Sequence, residues 1–204
     1  MQQNNSGLLI VLSGPSGAGK DSVLEQLKLQ GEDIQLSISL TTRGKRAGEV
    51  HGEHYWFVSR QEFEEKLQNS EVLEYTQYNG NYYGTPKTEI DQWLAQGKTV
   101  ILEIEVEGAA NIRSIYPNCV SVFLVPPSLA VLRQRLIDRQ SESLEEIDRR
   151  VTIAKGELGH ANSYDYIIQN NKLDQAVQDF RAIIRANQLH ISRSQAKIEQ
   201  VMKV

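Results

Sequence analysis

Between the apolar run Leu8-Leu9-Ile10-Val11-Leu12 and a helix-compatible stretch lies Gly14-Pro15-Ser16-Gly17-Ala18-Gly19-Lys20-Asp21, and no other feature constrains the chain as much. A strand must end, turn and start a helix within these eight residues. Glycines let several backbone N–H groups turn toward one point, and the start of the following helix adds unpaired N–H groups and its positive dipole end. An anion fits there. The loop follows G-x-x-x-x-G-K through Lys20, but Asp21, followed by Ser22, stands where the pattern asks for a Ser or Thr that holds Mg²⁺.

Composition bounds the rest. With 204 residues the chain can build one substantial core with smaller excursions and is too short for two large independent domains. Apolar residues make up 40% and charged residues 24%, as in soluble globular proteins, and no apolar stretch approaches the ~20 residues of a membrane helix. Met1-Gln2-Gln3-Asn4-Asn5-Ser6 has neither the basic nor the apolar region of a secretory signal, so a cytoplasmic location without membrane contact is expected. Cys119 is the single cysteine, which excludes an intrachain disulfide; its setting reads as a buried strand. The net charge of −4 argues against a general nucleic-acid binder, so bound phosphates must meet local arginine clusters.

Periodicity predicts alternating strands and helices. Asp21 to about Gln30 reads as a helix with Val23, Leu24 and Leu27 on one face, and Leu36 to Leu40 as a half-exposed strand before a loop from Thr41 to Gly52. Tyr55 to Val58 is a short aromatic strand, and Ser59 with Glu62 has capping-box spacing for a helix to about Asn69. Val72–Tyr78 and Asn81-Tyr82-Tyr83 around Asn79-Gly80 read as a hairpin, after which Thr85-Pro86 starts a helix with proline at its first position. Thr99–Ile104 and Val120–Val125 are apolar enough for central parallel strands. Helices follow Pro126-Pro127-Ser128 and Ser143, the second running to about Ala161; between them Arg139 to Glu142 is polar, either a closing segment or a solvated connection. Tyr166–Gln169 suits a last strand and Lys172 to about Ile191 a last helix; the tail from Ser192 carries no clear signal.

The order Ser37-Ile38-Ser39-Leu40-Thr41-Thr42-Arg43, Arg46, Gly48-Glu49, Gly52 and Tyr55 resembles guanylate kinase. So do Glu74, Gly80 to Thr85, Glu103-Ile104-Glu105 with Gly108-Ala109, and the spaced Arg135, Arg139 and Arg150. The likeness covers about residues 6 to 190. It implies an α/β fold of the phosphate-loop NTPase type: a three-layer parallel-sheet core (1–36, 88–126 and 159–204), an inserted acceptor-binding α+β part (37–87) and a helical lid (127–158). It implies the reaction ATP + GMP giving ADP + GDP, with GMP or dGMP as acceptor, Mg²⁺ travelling with ATP, and no obligate protein partner.

The residues also read as chemistry. Arg43 and Arg46 lie in a glycine-containing loop with no acidic partner in helical register, and guanidinium forks match the oxygens of a phosphate dianion. The resemblance adds the hydroxyls of Tyr55 and Tyr83 to that grip. Guanine presents N1–H and a 2-amino group on one edge, so a carboxylate that accepts from both rejects adenine, and Glu74 is the candidate. Ser39, Thr85 and Glu105 are further base contacts by resemblance. On the ATP side stand Gly14, Pro15, Ser16, Gly17, Ala18, Gly19, Lys20, Asp21 and Ser22, with Lys20 at the β- and γ-phosphates. Arg43, Arg135, Arg139 and Arg150 neutralise the transferring group, unless the last three form helix ion pairs with Asp138, Glu146 and Asp148. The resemblance also brings Arg139 and Asn170 to the adenine. Asp21 either holds Mg²⁺ through a water or complements the helix dipole. His51, His54, His160 and His190 are scattered and lack metal-ligand spacing. Two rivals stand beside this reading. One is a related kinase acting on a ribose bisphosphate, because Gly-Lys-Asp-Ser also resembles that group; the other is a non-catalytic guanylate-kinase-like module that binds phosphopeptides.

Overall fold

The computed structural model describes residues 7–78, 80–138 and 143–203, without the side chains of Tyr78, Ala196 and Lys197. In chain order the elements are β1 (Leu8–Ser13), α1 (Lys20–Leu29), β2 (Ile34–Leu36), β3 (Leu40–Thr41), β4 (Trp56–Phe57) and α2 (Arg60–Gln68). There follow β5 (Val72–Tyr78), β6 (Asn81–Pro86), α3 (Lys87–Ala95), β7 (Thr99–Glu103), α4 (Val106–Ile115) and β8 (Val120–Val125). The chain ends with α5 (Leu129–Asp138), α6 (Leu144–Leu158), a 3₁₀ turn (Ala161–Ser163), β9 (Tyr166–Gln169), α7 (Leu173–Leu189) and α8 (Ile191–Met202).

Every residue of β1 is buried because β1 is the middle of a five-stranded parallel sheet, ordered β2-β7-β1-β8-β9, that is covered on both faces. Side chains alternate along a strand, so Leu8, Ile10 and Leu12 face α1 and α7 (Val23, Leu24, Leu27, Phe180, Ile184). Leu9 and Val11 face α3 and α4 (Ile90, Ala109, Ile112). This is the three-layer arrangement that the apolar strand runs predict. A separate small core joins α5 to α6 through Leu132, Leu136, Ile147 and Ala154. Among the described residues no helix is long and apolar enough to cross a membrane.

A second sheet, ordered β4-β3-β6-β5, carries the aromatic and hydroxyl residues of 40–86. Its hairpin pairs Tyr78 with Asn81; Gly80 takes φ 78°, and Asn79, half of the expected turn, lies outside the described residues. Three expectations change. Leu36 to Leu40 is not one strand: β2 ends at Leu36 in the parallel sheet and β3 begins at Leu40 in the second sheet, so Ser37–Ser39 is the crossing between them. Pro86 is the N-cap of α3 and not its first helical residue, because Thr85 remains paired with Glu74 in the hairpin. The Ser59 capping box forms in full, whereas at α6 only the Ser143 hydroxyl accepts, from Glu146 N–H, and the helix stops at Leu158. Helices α4 and α8 had no counterpart in the sequence reading, and Cys119 is half-buried just ahead of β8.

Candidate active site

The loop between β1 and α1 is held open by its own contacts. Gly19 caps α1 in the left-handed region (φ 98°) with no side-chain cap bond, so no side chain caps the helix start. A side chain at Gly19 would run into Asn170 Nδ2, so only glycine fits both the turn and the neighbour. Asn170, buried at the end of β9, donates from Nδ2 to the Ala18 carbonyl at 2.9 Å. Arg135 of α5 donates to the same carbonyl (3.2 Å) and to the Asn170 carbonyl (2.8 Å), and Arg150 of α6 donates to the Ser16 hydroxyl. Arg135 and Arg150 therefore reach the phosphate loop from two helices. Two acidic residues of α6 pair with other arginines, Asp148 with Arg133 and Glu146 with Arg149, and the Glu146 carboxyl also feels the charge of Arg150. Arg139 lies outside the described residues.

Lys20 folds back to the Gly14 carbonyl at 2.8 Å, with Nζ 3.9 Å from Glu103. Glu103 ends β7, whose register with β1 sets it beside Leu12 at the mouth of the loop. Burial pushes its carboxyl up to about 7, opposed by Lys20 and reinforced by the adjacent Asp21 carboxyl in the first turn of α1. Asp21 thus keeps its place in the helix dipole and also sits against a second carboxyl. Crowding by protein likewise raises the carboxyls of Glu105 and of Glu157, near the end of α6, and both are opposed by the charge of Lys20. A signal for Glu103 existed in the sequence: a carboxylate closing an apolar strand run next to the loop strand.

The acceptor side is built on the second sheet. The Arg43 guanidinium lies over Tyr55 (5.4 Å to the ring centroid) and Phe57 (5.7 Å), with Tyr83 close enough to help raise its pKa, and the Tyr83 ring meets Tyr55 edge-on at 6.0 Å. Arg43 does have an acidic partner: Glu49 takes it with both oxygens, at 2.7 and 3.0 Å. The pairing spans six residues of irregular loop, where no periodic rule finds it. Arg46 has an exposed side chain, and its backbone N–H donates to Glu49.

Glu74 is 8% exposed on β5, where Thr85 donates to its Oε1 at 2.5 Å. Burial first, then the charges of Glu105 and Glu107, raises its carboxyl above the ordinary range. Gly108 in α4 leaves room for it: a Cβ there would stand 2.6 Å from Glu74 Oε2. Ser39 lies in the crossing between the sheets and offers its carbonyl to Trp56. The Tyr55 hydroxyl, raised mainly by its burial, also feels the charges of Glu103 and Asp21 beside the loop.

Comparison with known proteins decides the family. The guanylate kinase family model matches residues 6–187. A guanylate kinase from Halalkalibacterium halodurans is 43% identical over 202 residues, 99% of this chain and 99% of that one. One from Nitrosospira multiformis is 46% identical over 187 residues, 92% of this chain and 89% of the relative. The chain belongs to the guanylate kinase family. The crystal structure of guanylate kinase from Anaplasma phagocytophilum superposes with a TM-score of 0.76 at 31% identity, covering 95% of this chain and 92% of that one. A shikimate kinase from Bacteroides thetaiotaomicron shares only the fold, at 16% identity and a TM-score of 0.50. In this guanylate kinase family member, then, Asp21 and Glu103 adjoin the loop lysine, and Arg43, Tyr55, Tyr83, Glu74 and Thr85 line the other half of the site.

Proposed function

We propose that the chain transfers the γ-phosphate of ATP to GMP or dGMP, giving ADP and the guanine nucleoside diphosphate, in guanine nucleotide recycling. One observation carries this reading: a buried carboxylate with a hydroxyl partner, Glu74 with Thr85, shares a sheet with the Arg43–Tyr55–Tyr83 cluster, and Tyr55 of that cluster feels the charges of Glu103 and Asp21 beside the Lys20 loop. In the proposed pose Glu74 accepts from guanine N1–H and the 2-amino group, with Ser39, Thr85 and Glu105 around the base. Arg43, Arg46, Tyr55 and Tyr83 hold the acceptor phosphate. ATP lies along the loop from Gly14 to Ser22. Residues 37–87 serve as the acceptor part and 127–158 as the lid, with Arg139 and Asn170 toward the adenine.

The acceptor phosphate has a second pKa of about 6, so its attacking oxygen is already ionised near neutral pH and no protein base is needed. What the chain supplies is alignment and positive charge. Lys20 meets the β- and γ-phosphates, and Arg43, Arg135, Arg139 and Arg150 surround the loose, in-line transition state. The oxygen donors of Asp21, next to Lys20 in the first turn of α1, and of Glu103, 3.9 Å from Lys20 Nζ, suit Mg²⁺, which keeps several waters; Asp21 would hold it through one of them. When bound, Mg²⁺ would supply positive charge that offsets the charge of the ATP phosphates. The protein acts without an obligate protein partner, away from membranes and nucleic acid, in the cytoplasm.

A coupled assay offering GMP, dGMP, AMP, ribose bisphosphate and a phosphopeptide tests this. Strong preference for GMP and dGMP is expected. Turnover of AMP at the rate of GMP refutes the role of Glu74; turnover of the sugar phosphate, or peptide binding without turnover, establishes one of the two rivals.

A further inference from the structure

Glu49 has no part in the roles assigned above, yet three donors of the acceptor loop converge on its carboxylate. Arg43 Nη1 and Nη2 donate to Oε2 (3.0 Å) and Oε1 (2.7 Å), and the Arg46 backbone N–H donates to Oε2 at 2.7 Å. The Glu49 N–H returns a bond to the Arg46 carbonyl at 3.2 Å, which closes the turn. The paired side chains are only 14% and 16% exposed, unlike a loose surface ion pair, and Arg43 holds the Glu49 carboxyl down to about 2, so it stays ionised at any working pH.

Counting donors shows what this arrangement leaves over. A guanidinium has five N–H groups in one plane. Both Nη1 hydrogens are used, one by Glu49 and one by the Gly44 carbonyl at 2.8 Å, and Nη2 gives one to Glu49. The two that remain, on Nε and Nη2, lie side by side on a single edge, the fork that fits two oxygens of a phosphate. The rings of Tyr55 and Phe57 fix the plane of the group, and Tyr83 stands beside it.

We propose that Glu49 is the positioning residue of the acceptor-phosphate site: it clamps the far edge of Arg43 and the backbone of Arg46, so that the near edge of Arg43 is presented beside the Tyr83 hydroxyl to a phosphate monoester dianion. The proposal rests on Arg43 being a ligand of the acceptor phosphate. The opposite reading makes Glu49 a resident anion that must leave before the phosphate enters. The two differ in sign, since removing a positioning carboxylate weakens acceptor binding and removing a competitor strengthens it.

The test is steady-state kinetics of Glu49→Gln, Glu49→Asp, Arg43→Lys and the double variant Arg43→Lys/Glu49→Gln, with both substrates varied and thermal melting recorded for each. Glu49→Gln is expected to raise KM for GMP at least tenfold with kcat within threefold and KM for ATP within twofold. Glu49→Asp keeps the charge but cannot span both donors, so it falls between, and it carries the test should Glu49→Gln not fold. In the Arg43→Lys background, which lacks the fork, Glu49→Gln adds less than threefold. An unchanged or lower KM for GMP in Glu49→Gln overturns the proposal, as does a KM for ATP that rises in step. If Arg43→Lys itself leaves KM for GMP untouched, the assignment of Arg43 falls and this inference with it; if Arg43→Lys raises it and Glu49→Gln does not, Glu49 alone is wrong.

Discussion

Replacing Gly108 by alanine separates base recognition from folding. Gly108 lies inside α4, where alanine is favoured over glycine by about 1 kcal/mol on backbone grounds. The new methyl, however, would stand 2.6 Å from Glu74 Oε2 and 3.1 Å from its Cδ, well inside contact distance. The carboxylate must move by roughly an ångström, and the bond from Thr85 at 2.5 Å cannot survive that shift unchanged. A hydrogen bond to a charged group contributes about 1.5–3 kcal/mol, and each ~1.4 kcal/mol is tenfold, so kcat/KM for GMP should fall roughly 10- to 150-fold. The helix gain and the lost bond oppose each other in stability, so Tm should move by only a few degrees, about 2–4 °C per kcal/mol for a chain of this size. KM for ATP should not change, because the three atoms nearest a Cβ at Gly108 all belong to Glu74 and none to the loop at Gly14–Lys20. Initial rates with GMP and ATP varied independently, alongside differential scanning calorimetry, give all three quantities. A Gly108→Ala enzyme that keeps GMP kcat/KM within twofold would show that the position of Glu74 does not matter, and the base assignment would go with it.

Four more outcomes are expected. Glu74→Gln should lose preference for GMP over AMP, since an amide accepts only through its oxygen. The same variant should melt higher than the parent above about pH 5, by a margin that grows with pH: burial raises the carboxyl of Glu74, so its ionisation favours the unfolded chain as pH climbs through the unfolded value, and glutamine lacks that penalty; a margin that shrinks with rising pH would contradict the burial argument. Asp21→Ser should change turnover less than tenfold while altering the Mg²⁺ concentration for half-maximal rate; a many-fold rise in turnover would mean that the aspartate impairs the parent. Asn170→Ala removes the 2.9 Å bond to the Ala18 carbonyl and leaves that carbonyl to Arg135 alone, so KM for ATP should rise several-fold with GMP kinetics preserved, and unchanged ATP kinetics would leave Asn170 without a function in the loop.

What could be read from the sequence was local or periodic. The strand–loop–helix unit at Leu8–Leu29, the capping box at Ser59–Glu62 and the apolar strands at Thr99 and Val120 are each written in one contiguous stretch, and the structure places them accordingly. The break at Ser37–Ser39 was not legible, because its cause is the pairing of neighbouring residues with two different sheets. Helix α4 was missed because Gly108 interrupts its pattern, and that glycine answers to Glu74, thirty-four positions earlier in the chain. The pairing of Glu49 with Arg43 was not legible for a similar reason: the two are close in sequence but the loop between them has no period. Asn170 was placed near the last strand, but its grip on Ala18 joins residues 152 positions apart and only the folded chain reveals it.

The small apolar cluster of Leu132, Leu136, Ile147 and Ala154 makes α5 and α6 a hairpin with an interior of its own, docked where Gly17 lets Leu132 and Leu136 come close to the phosphate loop. Such a piece is a natural cassette. Grafting this helix pair from one relative onto another, with Gly17, Arg135 and Arg150 kept, should change ATP kinetics while the choice of base, which we propose to lie with Glu74 on the other sheet, stays with the recipient.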